Sequence, residues 1–278
     1  MDRPEPESGI PHSEGRQMMQ KYIASFKPSR WKSWSWSEKN FNPIANWLKT
    51  HSDYIRKGSY VSHTPGKEVW RFQLPKNLGE KTVIFKKYDF TQLDLQEQVG
   101  FSPIYHHVAN NALFRKINIR TPDILACGET RHFGFLTSAF LILEYIQDTF
   151  DGSLLTPTDA FIDNSKIRMA FGLKMMEHFA LIHQNGFSYS HFHAHTILIP
   201  KSCNEDNLDL FWTDIAPCRP LPPRKIIKII PRNLLEFFIE LRFDTDQIKT
   251  LCEHYLQFNP IPNFNTDILW NSMLAIKP

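Results

Sequence analysis

The chain of 278 residues is 42% hydrophobic and 22% charged, with a formal net charge of +3. That apolar content supports a packed core and excludes a wholly disordered chain, while so small a positive excess gives no ground for a nucleic-acid binder. Cys127, Cys203, Cys218 and Cys252 stand far apart with no C-x-x-C pair. This argues against a thiolate zinc site and a disulfide framework, and fits a reducing compartment.

Residues 1–15 are acidic and Pro-rich and lack the apolar segment of a signal peptide. The apolar run around Phe140-Leu141-Ile142-Leu143 is far shorter than the ~18 residues a membrane span needs. A soluble, cytoplasmic protein is therefore expected. Residues 1–20 read as a flexible tail. The basic and aromatic stretch 26–36, with Trp31, Trp34 and Trp36, suits packing on the domain body or contact with a membrane interface. Together, residues 1–40 are expected to precede the first domain.

Residues 42–52 read as a short helix with Ile44, Trp47 and Leu48 on one face. Segments 58–63 and 68–74 alternate as a hairpin around Pro65-Gly66, and 82–88 is a third strand after a turn centred on Gly79. A helix opens with Ser102-Pro103 and runs to residue 116, with Val108, Ala112 and Arg115 on one face and His106 and His107 expected at the surface. Strands follow at 124–128 and 139–146. The clearest helix is 164–183, with Met169, Leu173, Met176 and Ala180 as its stripe and Asn185-Gly186 as its stop. Helices at 233–241 and 245–257 complete the pattern. The fold class is α+β, with a β-rich part carrying one helix at 41–146 and a helical part at 147–278.

Several motifs appear in order along this pattern. Val83-Ile84-Phe85-Lys86 resembles the strand-lysine motif V-A-I-K of kinases. Leu143-Glu144-Tyr145 looks like the hinge that receives adenine. Residues 189–198 resemble a kinase catalytic loop, H-x-D-x-x-x-x-N-I-L, and Thr213-Asp214-Ile215-Ala216 resembles I-D-F-G. Ile119-Arg120-Thr121-Pro122 resembles the end of L-x-x-x-G-I-x-T-P, and 232–237 with 246–256 is similar to the tail pattern R-x-x-D-L-A-x-L-x-F and D-x-x-x-F-L-x-x-Y. Over residues 57–257 the chain thus resembles the lipopolysaccharide core kinase (Kdo/WaaP) family of the protein-kinase-like superfamily.

The resemblance implies a bilobal protein-kinase-like fold, with ATP and Mg²⁺ as cofactors. It also implies transfer of the γ-phosphoryl group to a heptose or Kdo of the lipopolysaccharide inner core, a lipid-linked oligosaccharide met at the inner membrane. Lys86 would anchor phosphates and Asp214 would hold Mg²⁺. Backbone groups at Glu144 and Tyr145 would meet adenine. His191 falls in the catalytic-base position and Thr196 in that of the second metal ligand.

The chain departs from the family pattern at these points. His191 stands where an Asp is expected, Thr196 where an Asn is expected and Ala216 where the last glycine of D-F-G is expected. The helix carboxylate that should pair Lys86 falls near His107, and Glu97 is an early substitute. Two readings stay open: a phosphotransferase, and a pseudokinase-like module that binds a nucleotide or a partner. A third comes from His191, His193 and His195, which at i, i+2, i+4 on an extended segment would share a face and suit Zn²⁺. Met175 and Met176 read as core. The run Arg224-Lys225-Ile226-Ile227-Lys228 reads as a solvated face or an attractor of anionic sugar.

Overall fold

The computed structural model describes residues 34–35, 42–55, 57–64, 66–90, 102–157, 165–261 and 264–276. The expected tail, the basic aromatic stretch apart from Trp34–Ser35, and Glu97 lie outside the described residues. Two compact units emerge. One gathers the described residues through Ala112 together with Pro122–Gln147; the other holds Leu113–Thr121 and Asp148–Pro278.

The first unit is built on a six-stranded antiparallel sheet. Its strands are β1 (Trp34–Ser35), β2 (Ser59–Thr64), β3 (Lys67–Gln73), β4 (Thr82–Asp89), β5 (Ile124–His132) and β6 (Phe135–Glu144), in the order β1-β5-β6-β4-β3-β2. β5 and β6 run past the expected bounds to a two-residue turn, Phe133-Gly134, with φ of +53° and +88°. Positive φ at both positions matches the right-handed twist of a hairpin. The apolar pattern fades after Gly128, but backbone pairing carries the ladder on to His132 and Phe135.

Two short helices, α1 (Asn42–Thr50) and α2 (Ser52–Ile55), replace the single helix expected over 42–52. Their aromatic side chains meet the sheet. Trp47 lies 5.0 Å from Tyr54 and 6.4 Å from Phe72, and Phe72 lies 6.4 Å from Phe85. Successive strand residues point to opposite faces, so Lys86 stands on the face away from Val83 and Phe85. Its register partners are Val69 on β3 and Leu141 on β6, both buried.

Helix α3 (Pro103–Lys116) is shared between the two units and buries a different face from the one expected. Ile104, His107, Asn110, Asn111 and Phe114 are buried, whereas Val108 and Ala112 are half-buried and Arg115 is exposed. His107 is only 2% exposed, so the surface position expected for it is corrected. The error arises because polar side chains occupy the inward positions, which hides the period from an apolar count.

The second unit surrounds α4 (Ser165–Gln184). Phe171, Met175, Met176, Phe179, Ala180 and Ile182 are all fully buried there. A Cβ on Gly172 would come within 2.9 Å of Leu251 and 3.0 Å of Phe243, so this glycine permits the close approach of the helix that follows α5 (Pro223–Leu241), namely α6 (Thr245–Phe258). α5 starts ten residues before the expected 233, with Pro222 at its cap and Pro231 inside it. A last helix, α7 (Thr266–Leu274), has no counterpart in the sequence reading. Short strands supply the rest: β7 (Thr149–Asp151), β8 (Phe187–Tyr189), β9 (Ile197–Pro200), β10 (Phe211–Trp212) and β11 (Cys218–Pro220). They form the sheets β10-β9-β7 and β11-β8.

Candidate active site

Of the residues expected to act, Lys86, Glu144 and Tyr145 belong to the sheet unit, and His191, Thr196 and Asp214 to the helical unit. In the sheet unit β4 and β6 are direct neighbours: Lys86 pairs with Leu141 and Val83 with Glu144. Lys86 is 7% exposed. A buried ammonium is stable only beside anions or polar groups. Two backbone donors of the expected hinge are engaged within the sheet unit. The Glu144 amide donates to the Asp123 carbonyl at 2.8 Å, and the Tyr145 amide to the Thr82 carbonyl at 3.3 Å. The Arg71 guanidinium lies 5.4 Å from the centre of the Tyr145 ring and donates to its hydroxyl at 3.3 Å.

In the helical unit the catalytic-loop segment runs from β8 to β9 and contains a one-turn 3-10 helix, Ala194–Thr196. It is curled, which removes the extended geometry on which a His191-His193-His195 face depended. His191 has φ of +57°, a left-handed conformation in which His is one of the less disfavoured side chains. Its amide donates to Glu236 Oε2 at 3.0 Å, while Arg232 Nε donates to Oε1 of the same carboxylate at 3.1 Å. One turn further along α5, Glu240 Oε1 accepts the Ala194 amide at 3.1 Å. Two carboxylates at i and i+4 on α5 therefore hold the loop backbone. Sequence reasoning missed both; their i,i+4 spacing on one helix face was visible, but their partners lie 45 and 46 residues away.

Beneath the loop, Phe192 inserts among aromatic rings, 5.2 Å from Phe237, 5.9 Å from Phe179 and 6.3 Å from Trp212. Thr196 is 7% exposed, and its hydroxyl donates to the His193 carbonyl at 2.6 Å. The β9–β10 ladder then joins this loop to the Asp214 segment. Phe211 pairs with Leu198 and Trp212 with Ile197, and the Thr213 amide and hydroxyl both donate to the Thr196 carbonyl at 2.8 Å. The structure so brings Thr196 and Asp214 to the same end of one hairpin. The Tyr189 hydroxyl donates to the Asp214 carbonyl. Burial, with the Asp214 carboxylate adding to it, pushes the Tyr189 phenol well above its usual range, so it stays a neutral donor.

Two buried histidines support this frame. Trp212 Nε1 donates to His178 Nδ1 at 3.0 Å, so His178 is neutral with its proton on Nε2. Burial, helped by Lys174, lowers its pKa to about 3. His183 Nε2 donates to Asn233 Oδ1 at 3.2 Å, and the Tyr255 hydroxyl donates to His183 Nδ1 at 2.9 Å. Burial lowers the His183 pKa to about 4, against the opposing effect of the Asn233 bond. Asn233 Oδ1 also accepts the Tyr189 amide at 3.3 Å, which links α4, α5 and β8 just before the loop.

A separate cavity of about 540 Å³ in this unit is lined in part by Arg120, Lys174, Glu177, His178 and Asp209. None of the expected site residues lines it. Arg120 pairs with Asp209, and Lys174 with Glu177 at 2.6 Å.

A β-rich unit carrying a strand lysine, and a helical unit carrying a curled loop joined by a β-ladder to an aspartate, define a kinase-like fold. Among solved structures, the chain is similar to WaaP in complex with acyl carrier protein, with a TM-score of 0.60 at 12% identity; the match covers 86% of this chain and 96% of that one. The chain has a WaaP kinase-like fold. Its sequence matches no family model and no curated protein.

Proposed function

We propose that this protein is a phosphotransferase of the WaaP type, moving the γ-phosphoryl group of ATP to a heptose or Kdo hydroxyl of the lipopolysaccharide inner core. The observation that carries this reading is the retention of Lys86, buried on β4, and of Asp214, fixed at the end of β10, within a WaaP kinase-like fold. In this reading Lys86 binds the phosphates and Asp214 offers a carboxylate oxygen to Mg²⁺, the ion that would neutralise charge on the transferred group. His191 accepts the proton of the acceptor hydroxyl through its imidazole. Thr196 helps mainly by shaping the loop, since its hydroxyl proton goes to the His193 carbonyl. Glu144 and Tyr145 form the hinge. The amides of these two residues are already engaged, so adenine would be held there through carbonyls and apolar contact.

The exposed basic face of α5, with Arg224, Lys225, Lys228 and Arg232 beside Ile227, supports approach to an anionic, lipid-linked substrate at a membrane surface. No helix among the described residues is long and apolar enough to cross a membrane.

The engaged hinge amides and the imidazole in place of a carboxylate favour a second reading, a pseudokinase that binds a nucleotide or partner without turnover. Mass spectrometry of core oligosaccharide incubated with protein and Mg-ATP separates the two. The phosphotransferase reading expects a phosphorylated sugar that disappears with Asp214→Ala. Equal signal from both proteins, or none from either, overturns it.

A further inference from the structure

We infer that His193, His195 and Glu240 form a binding site for a divalent transition-metal ion, with Zn²⁺ the best match to the donor set, which fastens the loop to α5. One ligand atom from each of these side chains lies within 4.8 Å of the others. The two imidazoles stack with centroids 5.3 Å apart and planes 19° from parallel, and His193 Nδ1 lies 3.9 Å from Glu240 Oε2. Four-coordinate zinc, with bonds of about 2.0–2.1 Å, places neighbouring donor atoms about 3.3 Å apart. Small side-chain rotations close that difference, and both histidines are exposed enough to make them.

The carboxylate is already oriented. Glu240 Oε1 accepts the Ala194 amide, which leaves Oε2 turned toward His193. An outer hydrogen bond of this kind is what fixes a ligating carboxylate in metal centres. The 3-10 turn then sets His193 and His195 on either side of buried Ala194, so the backbone, not only the side chains, holds the pair. Two imidazoles and one carboxylate suit zinc and its neighbours, whereas Mg²⁺ prefers an all-oxygen set. The site is thus chemically distinct from an ion at Asp214 and does not depend on the phosphotransferase reading. Three protein ligands leave a position open for water or an anionic group. His191 is not one of the three ligands, and its amide is held by Glu236.

The test uses the full chain without a polyhistidine tag, stripped with a chelator and titrated with Zn²⁺ against a chromophoric competitor. Saturation at one equivalent is expected. His193→Ala, His195→Ala and Glu240→Gln should each weaken Kd at least about tenfold. Glu240→Gln keeps an acceptor for the Ala194 amide, so its circular dichroism should match the native chain and the loss should be of metal alone. His191→Asn, a side chain that tolerates the left-handed backbone, should bind as the native protein does. No saturable binding by the native chain, an unchanged Kd in Glu240→Gln, or an equal loss in His191→Asn overturns the proposal.

Discussion

His191 sits where a catalytic base is expected, and its backbone is held in a conformation that costs a side chain with a Cβ about 1–2 kcal/mol. The bond from its amide to Glu236 offsets that cost. Replacing Glu236 with Ala should leave the amide and Arg232 without this acceptor and destabilise the chain by about 1–3 kcal/mol. Amide hydrogen exchange at His191 should speed up in the variant, while Ala194, held by Glu240, should keep its protection; unchanged exchange at His191 would show that the Glu236 carboxylate does not hold the loop. Position in the motif frame was enough to mark His191, Thr196 and Asp214 as candidates. Their surroundings were not legible in the sequence, because Glu236 reaches His191, Tyr189 reaches Asp214 and Glu240 reaches the loop at Ala194 through contacts that no local pattern encodes. The same holds for Thr196, whose hydroxyl closes a local turn.

At the scale of elements, the loop depends on the aromatic group that α4, α5 and β10 offer to Phe192. Phe192→Ala should cost about 3–5 kcal/mol, read as a fall in the midpoint of chemical denaturation. Helix α4 also carries the buried His178 and His183, which makes its packing sensitive to acid. In the unfolded chain each protonates near pH 6.5, whereas in the fold His183 stays neutral to about pH 4 and His178 to about pH 3. The unfolded state therefore binds more protons over that window, and stability falls as pH drops from 6.5 toward 4. Each histidine contributes a slope of about 1.4 kcal/mol per pH unit. Denaturation midpoints between pH 7 and pH 4.5 should show the decline, and His178→Gln should make it shallower. A flat profile would refute the assignment. The strongest helix was legible because it is long, rich in apolar residues and stopped by Asn185-Gly186, although two members of its expected stripe, Met169 and Leu173, are only half-buried while Phe171 and Phe179 are fully buried. Helix α5 was half-hidden, since Pro231 reads as a stop, although the packing of Ile226, Ile230 and Leu234 carries the helix through it.

Over the whole molecule, the kinase-like fold was legible from the order of weak motifs, and the extent of the WaaP match is consistent with that reading. Strand endings, the split first helix and α7 were not, because backbone pairing and distant packing decide them. If the phosphotransferase reading holds, Mg-ATP well above its Kd should raise the melting temperature by several degrees, and Lys86→Ala should abolish the shift. A native chain that shows no shift would sink both the phosphotransferase reading and nucleotide binding by a pseudokinase, leaving the partner-binding form. Helix α5 adds an electrostatic consequence. Its first turn carries Arg224 and Lys225 and no acid, while its last turn carries Glu240 and no base. Both ends run against the helix dipole, which favours negative charge at the start and positive charge at the end, by about 0.3–1 kcal/mol per residue. Arg224→Glu should therefore raise the melting temperature slightly. The native helix forgoes that gain, and a divalent cation at Glu240 would correct the polarity at its far end.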